Sequence, residues 1–241
     1  DTPTTIVSNL KDDGYTCIAM HPYYETGWSR NLVYPHIGFD EMHFIDYFDQ
    51  TKILREYITD QELYDKIIKR YENRKNNEKL FFMGITMQNH GGYTETYNNF
   101  PENYYKVGRS YTDANQYLSL VHESDEAVKN LISYFSKIDD PVEIIFFGDH
   151  QPSLNSNFYP ILNGKGLTGL TEDELEKLYT VPFFIWTNYD TPEETVDITS
   201  LDYLSTMALE RAGIELPAYN KFLADMQEGF VSYTQFLFLF T

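Results

Sequence analysis

Apolar stretches of strand length, separated by helical patterns, constrain the fold of this chain more than any other feature. Helical periodicity is clearest over Asp60–Asn76, where Asp60 is expected to cap the helix, and over Asp113–Ile138. Four strands are predicted: Tyr15–Met20, Lys79–Thr86, Val142–Phe147 and Val181–Trp186. Near-continuous apolar strands that alternate with helices are typical of a parallel sheet covered on both faces. We therefore predict an α/β fold in one domain, with these four strands in one mainly parallel sheet.

The charge of the chain argues against several classes of partner. Its 241 residues include 18 Lys and Arg against 37 Asp and Glu, which gives a formal net charge of −19. Nucleic-acid binding needs a basic surface, and anionic lipid repels so acidic a chain, so neither is expected to bind it passively. An aromatic content of 17% argues against a disordered chain. No apolar run reaches the length of a transmembrane helix.

Cys17 is the single cysteine, so the sequence excludes an intramolecular disulfide framework and a cysteine-rich zinc site. One cysteine fits a cytosolic protein or an exported bacterial one. The chain starts with Asp1-Thr2-Pro3, without a Met or a signal peptide, and we expect it to be a piece of a longer protein.

Histidines follow three of the predicted strands. His21 comes directly after the first, His90 lies just beyond the second, and Asp149-His150 follow the third. Open parallel sheets bind ligands outside the carboxyl ends of their strands, so we expect these side chains at one edge. Asp149 and His150 offer the oxygen and nitrogen donors that a divalent cation takes. The ordinary alternatives are hydrogen-bonded loop histidines at positions 21 and 90, and an Asp149 that caps a helix beside a surface His150.

Trp28 and Arg30 add groups suited to a phosphorylated ligand. The Arg30 guanidinium can form paired hydrogen bonds to a phosphate or sulfate, and Trp28 offers a flat wall for a sugar or glycerol unit. The alternative is a buried Trp28 beside an Arg30 that is paired to an acid.

Taken in order, these motifs resemble those of the lipoteichoic acid synthase family, the phosphoglycerol transferases of the sulfatase and alkaline phosphatase superfamily. The matching positions are Met20-His21, Trp28-x-Arg30, Val33-Tyr34, Gly38-Phe39-Asp40, Asn89-His90, Gly148-Asp149-His150, Val181-Pro182-Phe183 and Leu209-x-x-Ala212-Gly213-Ile214. The resemblance runs to about Asp225 and implies a sulfatase-like α/β fold. We expect part of a catalytic domain over residues 1–225 and an aromatic tail or edge strand over 226–241.

The resemblance implies a metal-dependent transferase, usually with manganese. In such enzymes a Thr attacks the phosphodiester of a phosphatidylglycerol-like lipid and passes glycerol phosphate to a cell-envelope polymer. It also implies a protein of the cell membrane, with this domain on the extracellular face. The resemblance gives Asp149 and His150 to the metal. It assigns four residues to the phosphoglycerol pocket: His21, Trp28, Arg30 and His90. It assigns a catalytic role to His90 as well.

Two departures from the family pattern bear on this reading. The family's nucleophile and an acidic ligand lie well upstream of the position of His21, where this chain has only twenty residues; Thr4 and Thr5 stand there in a helix-like setting. We therefore expect a weak or empty metal site and no turnover from these 241 residues alone. Tyr23 stands where relatives that bind glycerol often have an acid, which leaves the donor open.

Two other functions remain open from the sequence. One is a hydrolase of the same superfamily, either a sulfatase or a phosphodiesterase. A sulfatase would need a formylglycine, and Cys17 lacks the flanking Pro and Arg that this modification requires. The other is a non-catalytic module that binds teichoic acid or glycan in the same pocket.

Overall fold

The structure, a computed structural model, describes residues 4–100 and 111–229 of the chain. It separates into two units, which are described one at a time. Unit 1 is drawn from Asp1–Tyr134 and Pro152–Gly169, and unit 2 from Phe135–Gln151 and Leu170–Thr241.

Unit 1 contains a three-stranded sheet, a short hairpin and most of the helices. Its elements are α1 (Ile6–Asp12), β1 (Tyr15–Met20), α2 (Arg30–Ile37), β2 (Glu41–His43), β3 (Ile53–Leu54), β4 (Tyr57–Ile58), α3 (Asp60–Glu72), β5 (Lys79–Gly84), α4 (Thr112–Phe135, whose last residue falls in unit 2) and α5 (Tyr159–Asn163). The long helix predicted over Asp113–Ile138 is α4.

Strand β1 is the centre of the sheet and pairs in parallel with β2 on one side and β5 on the other. Ile18 pairs with Glu41 of β2 and with Phe82 of β5. The last four residues of β1 are almost completely buried, since the sheet and α1 cover them. Helix α2 connects β1 to β2, and α3 precedes β5, as parallel neighbours require. The carboxyl ends of β1 and β5 therefore lie side by side.

Helix α3 begins differently from the prediction. Its N-cap is Thr59, whose hydroxyl accepts a hydrogen bond from the Glu62 amide. Asp60 is the first helical residue, and its carboxylate turns inward and accepts a 2.6 Å hydrogen bond from Ser124 Oγ. The prediction that Asp60 caps the helix was wrong, because a buried serine on α4 binds the Asp60 carboxylate.

Unit 2 contains β6 (Glu143–Phe147), α6 (Glu172–Lys177), β7 (Phe183–Thr187), α7 (Leu201–Arg211) and α8 (Ala218–Gly229). Strands β6 and β7 pair antiparallel, with Ile145 opposite Ile185. The α/β fold with a parallel sheet is confirmed. The single sheet of all four predicted strands is not observed in the described residues: β6 and β7 form a separate two-stranded sheet. An apolar run favours a strand, but it carries no information about the direction of its partner, and the residues of β6 and β7 are half-buried or exposed.

The predicted boundary at residue 225 falls inside α8, and the aromatic tail over 230–241 lies outside the described residues. The division into domains over 1–225 and 226–241 stays a prediction. Among the helices of the described ranges, none is both long and apolar enough to cross a bilayer.

Candidate functional site

In unit 1 the side chains of several sequence-predicted residues gather around Trp28. The centre of its ring lies 6.0 Å from that of His21 and 5.9 Å from that of His90, both edge-on. The ring of Tyr23 lies 5.9 Å away, and the guanidinium carbon of Arg30 stands 4.4 Å from the centre of the indole. We call these five residues the Trp28 site. Four of them are the residues that the sequence assigns to a substrate pocket.

Adjacency of β1 and β5 explains why His21 and His90 come together. His21 directly follows β1, and the Ile85 amide just beyond β5 donates a hydrogen bond to the carbonyl of Met20 at 2.9 Å. The chain then runs through a short turn, in which the His90 amide donates to the carbonyl of Met87. Two parallel neighbours thus deliver one histidine each to the same edge.

The backbone that presents Trp28 is strained. Trp28 and Ser29 both have left-handed conformations, with φ of 52° and 56°. Such conformations are disfavoured for residues with a Cβ and often occur at functional sites. The Trp28 side chain is 57% exposed. The alternative of a buried tryptophan is therefore excluded.

His21 is buried and has one ring nitrogen that makes no hydrogen bond within the described residues. Its Nδ1 lies 2.9 Å from the carbonyl oxygen of Ile85, and because a carbonyl can only accept, Nδ1 carries the hydrogen. Nε2 is buried and has no hydrogen-bond partner in the described part of the chain. Burial lowers the pKa of His21 to about 4. The ring is therefore neutral near pH 7, and its Nε2 lone pair suits a donor such as a hydroxyl group.

Arg30 retains hydrogen-bonding capacity for an anion. Its Nε donates to the Tyr34 hydroxyl at 2.9 Å and its Nη1 to the Gly27 carbonyl at 3.3 Å. Within residues 4–100 and 111–229 no carboxylate forms an ion pair with Arg30, so its charge is not neutralised by an acid there. Guanidinium groups bind phosphate through charge-assisted hydrogen bonds.

Two residues that the sequence analysis missed contact the segment that carries His90. Tyr57 of β4 places its hydroxyl 3.2 Å from Nδ1 of His90. Arg55, in the turn between β3 and β4, donates to the His90 carbonyl at 2.7 Å. The signal in the sequence was weak, since β3 and β4 have only two residues each.

Asp149 and His150 lie in unit 2, just beyond β6. Gly148 precedes them. A Cβ at this position would come within 3.0 Å of the Val181 side chain, so the packing favours glycine there. The Nδ1–H of His150 donates to the carbonyl of Gln151 at 2.9 Å, and Nε2 lies 3.5 Å from Oδ2 of Asp149. Both side chains are highly exposed, and the next helix, α5, begins only at Tyr159, so the helix-capping alternative for Asp149 is not observed.

This pair fits two positions in the coordination sphere of a divalent cation. A metal-binding histidine commonly donates its second ring nitrogen to a carbonyl, as His150 does, and the two donor atoms are close enough to share one ion. A catalytic metal site usually takes at least three protein ligands. Within the described ranges no group of three His, Cys, Asp or Glu side chains could hold a metal. Within the described residues the pair alone does not complete such a site, and its role in metal binding and its convergence with the Trp28 site stay predictions.

Cys17 is an inaccessible thiol in the folded protein. It is fully buried in β1, and burial together with the Asp40 carboxylate raises the pKa of its thiol to about 11.

Comparison with known proteins identifies the family. A sulfatase family model matches residues 1–214. The chain belongs to the sulfatase family. It is 26% identical over 234 residues to a putative cyclic beta-1,2-glucan modification protein of Rhizobium meliloti. The aligned region covers 94% of this chain and 36% of that relative. It is 30% identical over 146 residues to a lipoteichoic acid synthase of Staphylococcus saprophyticus, covering 58% of this chain and 22% of that protein.

Solved structures support the same fold. The chain superposes on the phosphoglycerol transferase GacH of Streptococcus pyogenes, solved in complex with sn-glycerol-1-phosphate, with a TM-score of 0.71 and 22% identity. The superposition covers 89% of this chain and 54% of GacH. The resemblance to lipoteichoic acid synthases and the sulfatase-like α/β fold are thus confirmed. The chain spans only between about a fifth and just over a third of the length of these two curated relatives.

Proposed function

We propose that this chain is part of the catalytic domain of a metal-dependent phosphoglycerol transferase. The enzyme would move glycerol phosphate from a phosphatidylglycerol-like lipid to a cell-envelope polymer. The observation that carries the proposal is the gathering of His21, Arg30 and His90 around the exposed ring of Trp28. The relatives support it, because they include lipoteichoic acid synthases and a structural neighbour solved with glycerol phosphate.

The Trp28 site offers complementary groups to the two ends of glycerol phosphate. Arg30 supplies positive charge and N–H donors for phosphoryl oxygens. The neutral His21 accepts a hydrogen bond from a glycerol hydroxyl through Nε2. Trp28 covers the carbon chain between them. Tyr23 replaces an acid at the glycerol end, so a hydroxyl and a ring contact the ligand there instead of a carboxylate.

Asp149 and His150 are proposed to hold the metal, with Mn²⁺ as the expected ion. When bound, a divalent cation lowers the pKa of a hydroxyl nucleophile and offsets phosphoryl charge. The residues of this chain orient the ligand and supply donors and acceptors to it. Because the described residues provide only two ligands, we propose that the 241-residue chain by itself does not turn over phosphoglycerol substrates.

The membrane location of the whole protein and the extracellular placement of this domain belong to the same proposal. The proposed donor is a membrane lipid, and the proposed acceptor is an envelope polymer. A sulfatase or phosphodiesterase is the competing activity, since guanidinium groups also bind sulfate.

Binding of sn-glycerol-1-phosphate to the chain tests the pocket without requiring turnover. Arg30→Met should raise the dissociation constant about 10- to 100-fold, as expected for the loss of charge-assisted hydrogen bonds. Arg74→Met is the matched control, because Arg74 also stacks on an aromatic ring, that of Tyr71, at 3.9 Å. Calorimetry would measure both. Equal affinities of the wild type and Arg30→Met, or tighter binding of a sulfate ester than of glycerol phosphate, would contradict the proposal.

The metal role is tested in the full-length protein with Mn²⁺ and a fluorescent phosphatidylglycerol. Asp149→Asn and His150→Ala should each abolish transfer, whereas Asp190→Asn, a change at another exposed acid of unit 2, should not. Paramagnetic broadening of the His150 ring signals by Mn²⁺ gives a readout that is independent of activity. Transfer by the Asp149→Asn protein would refute the assignment.

A further inference from the structure

The hairpin of β3 and β4 brings two side chains to the segment that holds His90. Leu54 pairs with Tyr57, so the turn between the strands has only two residues, Arg55 and Glu56. Arg55 has a φ of 56°, a left-handed conformation that two-residue hairpin turns commonly require. A tight turn of this kind fixes where Arg55 and Tyr57 lie relative to each other.

Arg55 binds the backbone of the His90 segment at three places. Its Nη2 donates to the carbonyls of Gln88 at 2.9 Å and His90 at 2.7 Å, and its Nη1 donates to the carbonyl of Gly92 at 3.2 Å. Nη1 also donates to the side-chain oxygen of Gln116 on α4. Arg55 is only 4% exposed. The donors of a guanidinium form a rigid fork. Because this buried fork bridges the carbonyls of Gln88, His90 and Gly92, it holds the backbone of residues 88–92 in one geometry.

None of the ion pairs within the described ranges involves Arg55. A buried charge is costly unless hydrogen bonds compensate it, and here backbone carbonyls do so. Removing Arg55 would therefore release three carbonyls of the segment at once.

Tyr57 fixes the His90 ring. Its hydroxyl lies 3.2 Å from Nδ1, and the two rings meet edge-on with centres 5.6 Å apart. A phenol is a better donor than acceptor, since its oxygen lone pair is conjugated with the ring. In the neutral histidine Nδ1 then accepts and the hydrogen sits on Nε2.

This arrangement gives the two histidines of the Trp28 site opposite roles. His21 carries its hydrogen on Nδ1, bound to the Ile85 carbonyl, and leaves Nε2 as an acceptor. His90 receives a hydrogen bond at Nδ1 and keeps Nε2–H as a donor. A ligand with a hydroxyl at one end and phosphoryl oxygens at the other satisfies both.

We propose that Arg55 and Tyr57 are positioning residues that hold His90 with its Nε2–H available to donate to a phosphoryl oxygen. The ligand in this statement rests on the proposed function, whereas the hydrogen-bond geometry of His90 does not. Arg55 acts on the backbone of His90, and Tyr57 acts on its ring.

Nitrogen NMR of the chain labelled at histidine tests the role of Tyr57. The chain has six histidines, so the spectrum is simple, and His90→Asn assigns the signal. At about pH 8, where histidine is ordinarily neutral, the wild type should show a hydrogen on Nε2 of His90 and an unprotonated Nδ1. Tyr57→Phe should move the Nδ1 resonance toward that of a nitrogen without a donor. Tyr47→Phe is the matched control, because the Tyr47 ring stacks on His43 at 3.9 Å.

Binding and exchange measurements test Arg55. Arg55→Lys keeps the charge but cannot bridge three carbonyls, so we expect at least tenfold weaker binding of sn-glycerol-1-phosphate and at least tenfold faster hydrogen exchange of the His90 amide. If Arg55→Lys does not fold, Tyr57→Phe still decides, because it removes only one hydroxyl.

The outcomes separate this proposal from the proposed function. A hydrogen on Nδ1 of His90 in the wild type, or an Nδ1 resonance unchanged by Tyr57→Phe, would overturn the positioning role whatever the ligand. A shifted resonance in Tyr57→Phe together with a wild type that does not bind glycerol phosphate would support the positioning role and overturn the function.

Discussion

Replacing His21 should change how the stability of unit 1 depends on pH. Burial holds the pKa of His21 at about 4 in the folded protein, against an ordinary value of 6.5. Below about pH 4 both the folded and the unfolded state bind the proton. Between about pH 4 and 6.5 only the unfolded state does, so the folded state gains stability as the pH rises through this window. Above pH 6.5 the contribution is constant.

The size of the effect follows from the two pKa values. At 1.36 kcal/mol per pH unit, the interval from about 4 to 6.5 corresponds to about 3 kcal/mol. His21→Asn removes the titrating group, while its amide can still donate to the Ile85 carbonyl. The difference in unfolding free energy between the wild type and His21→Asn should therefore grow by about 2–3 kcal/mol from pH 4.5 to 7.

Urea unfolding at a series of pH values measures this difference. The chain has two tryptophans, Trp28 and Trp186, and a Trp186→Phe background makes the fluorescence report on unit 1. His36→Asn is the control, since His36 is an exposed histidine of the same unit. A free-energy difference that does not change between pH 4.5 and 7 would refute the burial of a neutral His21.

Three further predictions concern single groups of unit 1. Gly27→Ala would place a Cβ 3.1 Å from the ring of Tyr23. Calorimetry should therefore show about three- to tenfold weaker binding of glycerol phosphate. Urea unfolding should show an unfolding free energy lowered by no more than about 1 kcal/mol. Burial raises the pKa of Asp60 to about 6 from 3.8, so this carboxyl should cost up to about 3 kcal/mol of stability as the pH rises from 4 to 6. Asp60→Asn should abolish that loss, whereas Asp65→Asn, on the exposed face of the same helix, should not. If the unfolding free energies of Asp60→Asn and the wild type depend on pH in the same way, this prediction is wrong. Cys17 should resist iodoacetamide at pH 8 in the folded protein and react in urea, and rapid labelling without denaturant would show that its thiol is not buried.

The sequence predicted those parts of the site that depend on strand ends. Because β1 and β5 are parallel neighbours, the residues beyond them share an edge, and His21 and His90 meet there as expected. Trp28 and Arg30 followed from their chemistry and their place after the first strand.

Other parts depend on contacts that no local pattern records. Tyr57 reaches His90 across 33 positions of the chain, from a strand of two residues. Asp60 was expected at a helix cap, but its partner Ser124 lies on another helix. Strands β6 and β7 are as apolar as β1, yet they pair antiparallel with each other, because apolar composition alone does not select a partner.

The left-handed backbone at Trp28 and Ser29 sets stability against function. Glycine adopts such conformations without the cost of about 1 kcal/mol or more that a side chain incurs. Ser29 is exposed, so its side chain returns little burial energy for that cost. Ser29→Gly should therefore unfold at an equal or higher temperature than the wild type, while the more flexible turn should hold the Trp28 ring less firmly. Random variants selected for thermal resistance alone would drift toward glycine at position 29, and retention of a side chain there would need selection for the position of Trp28.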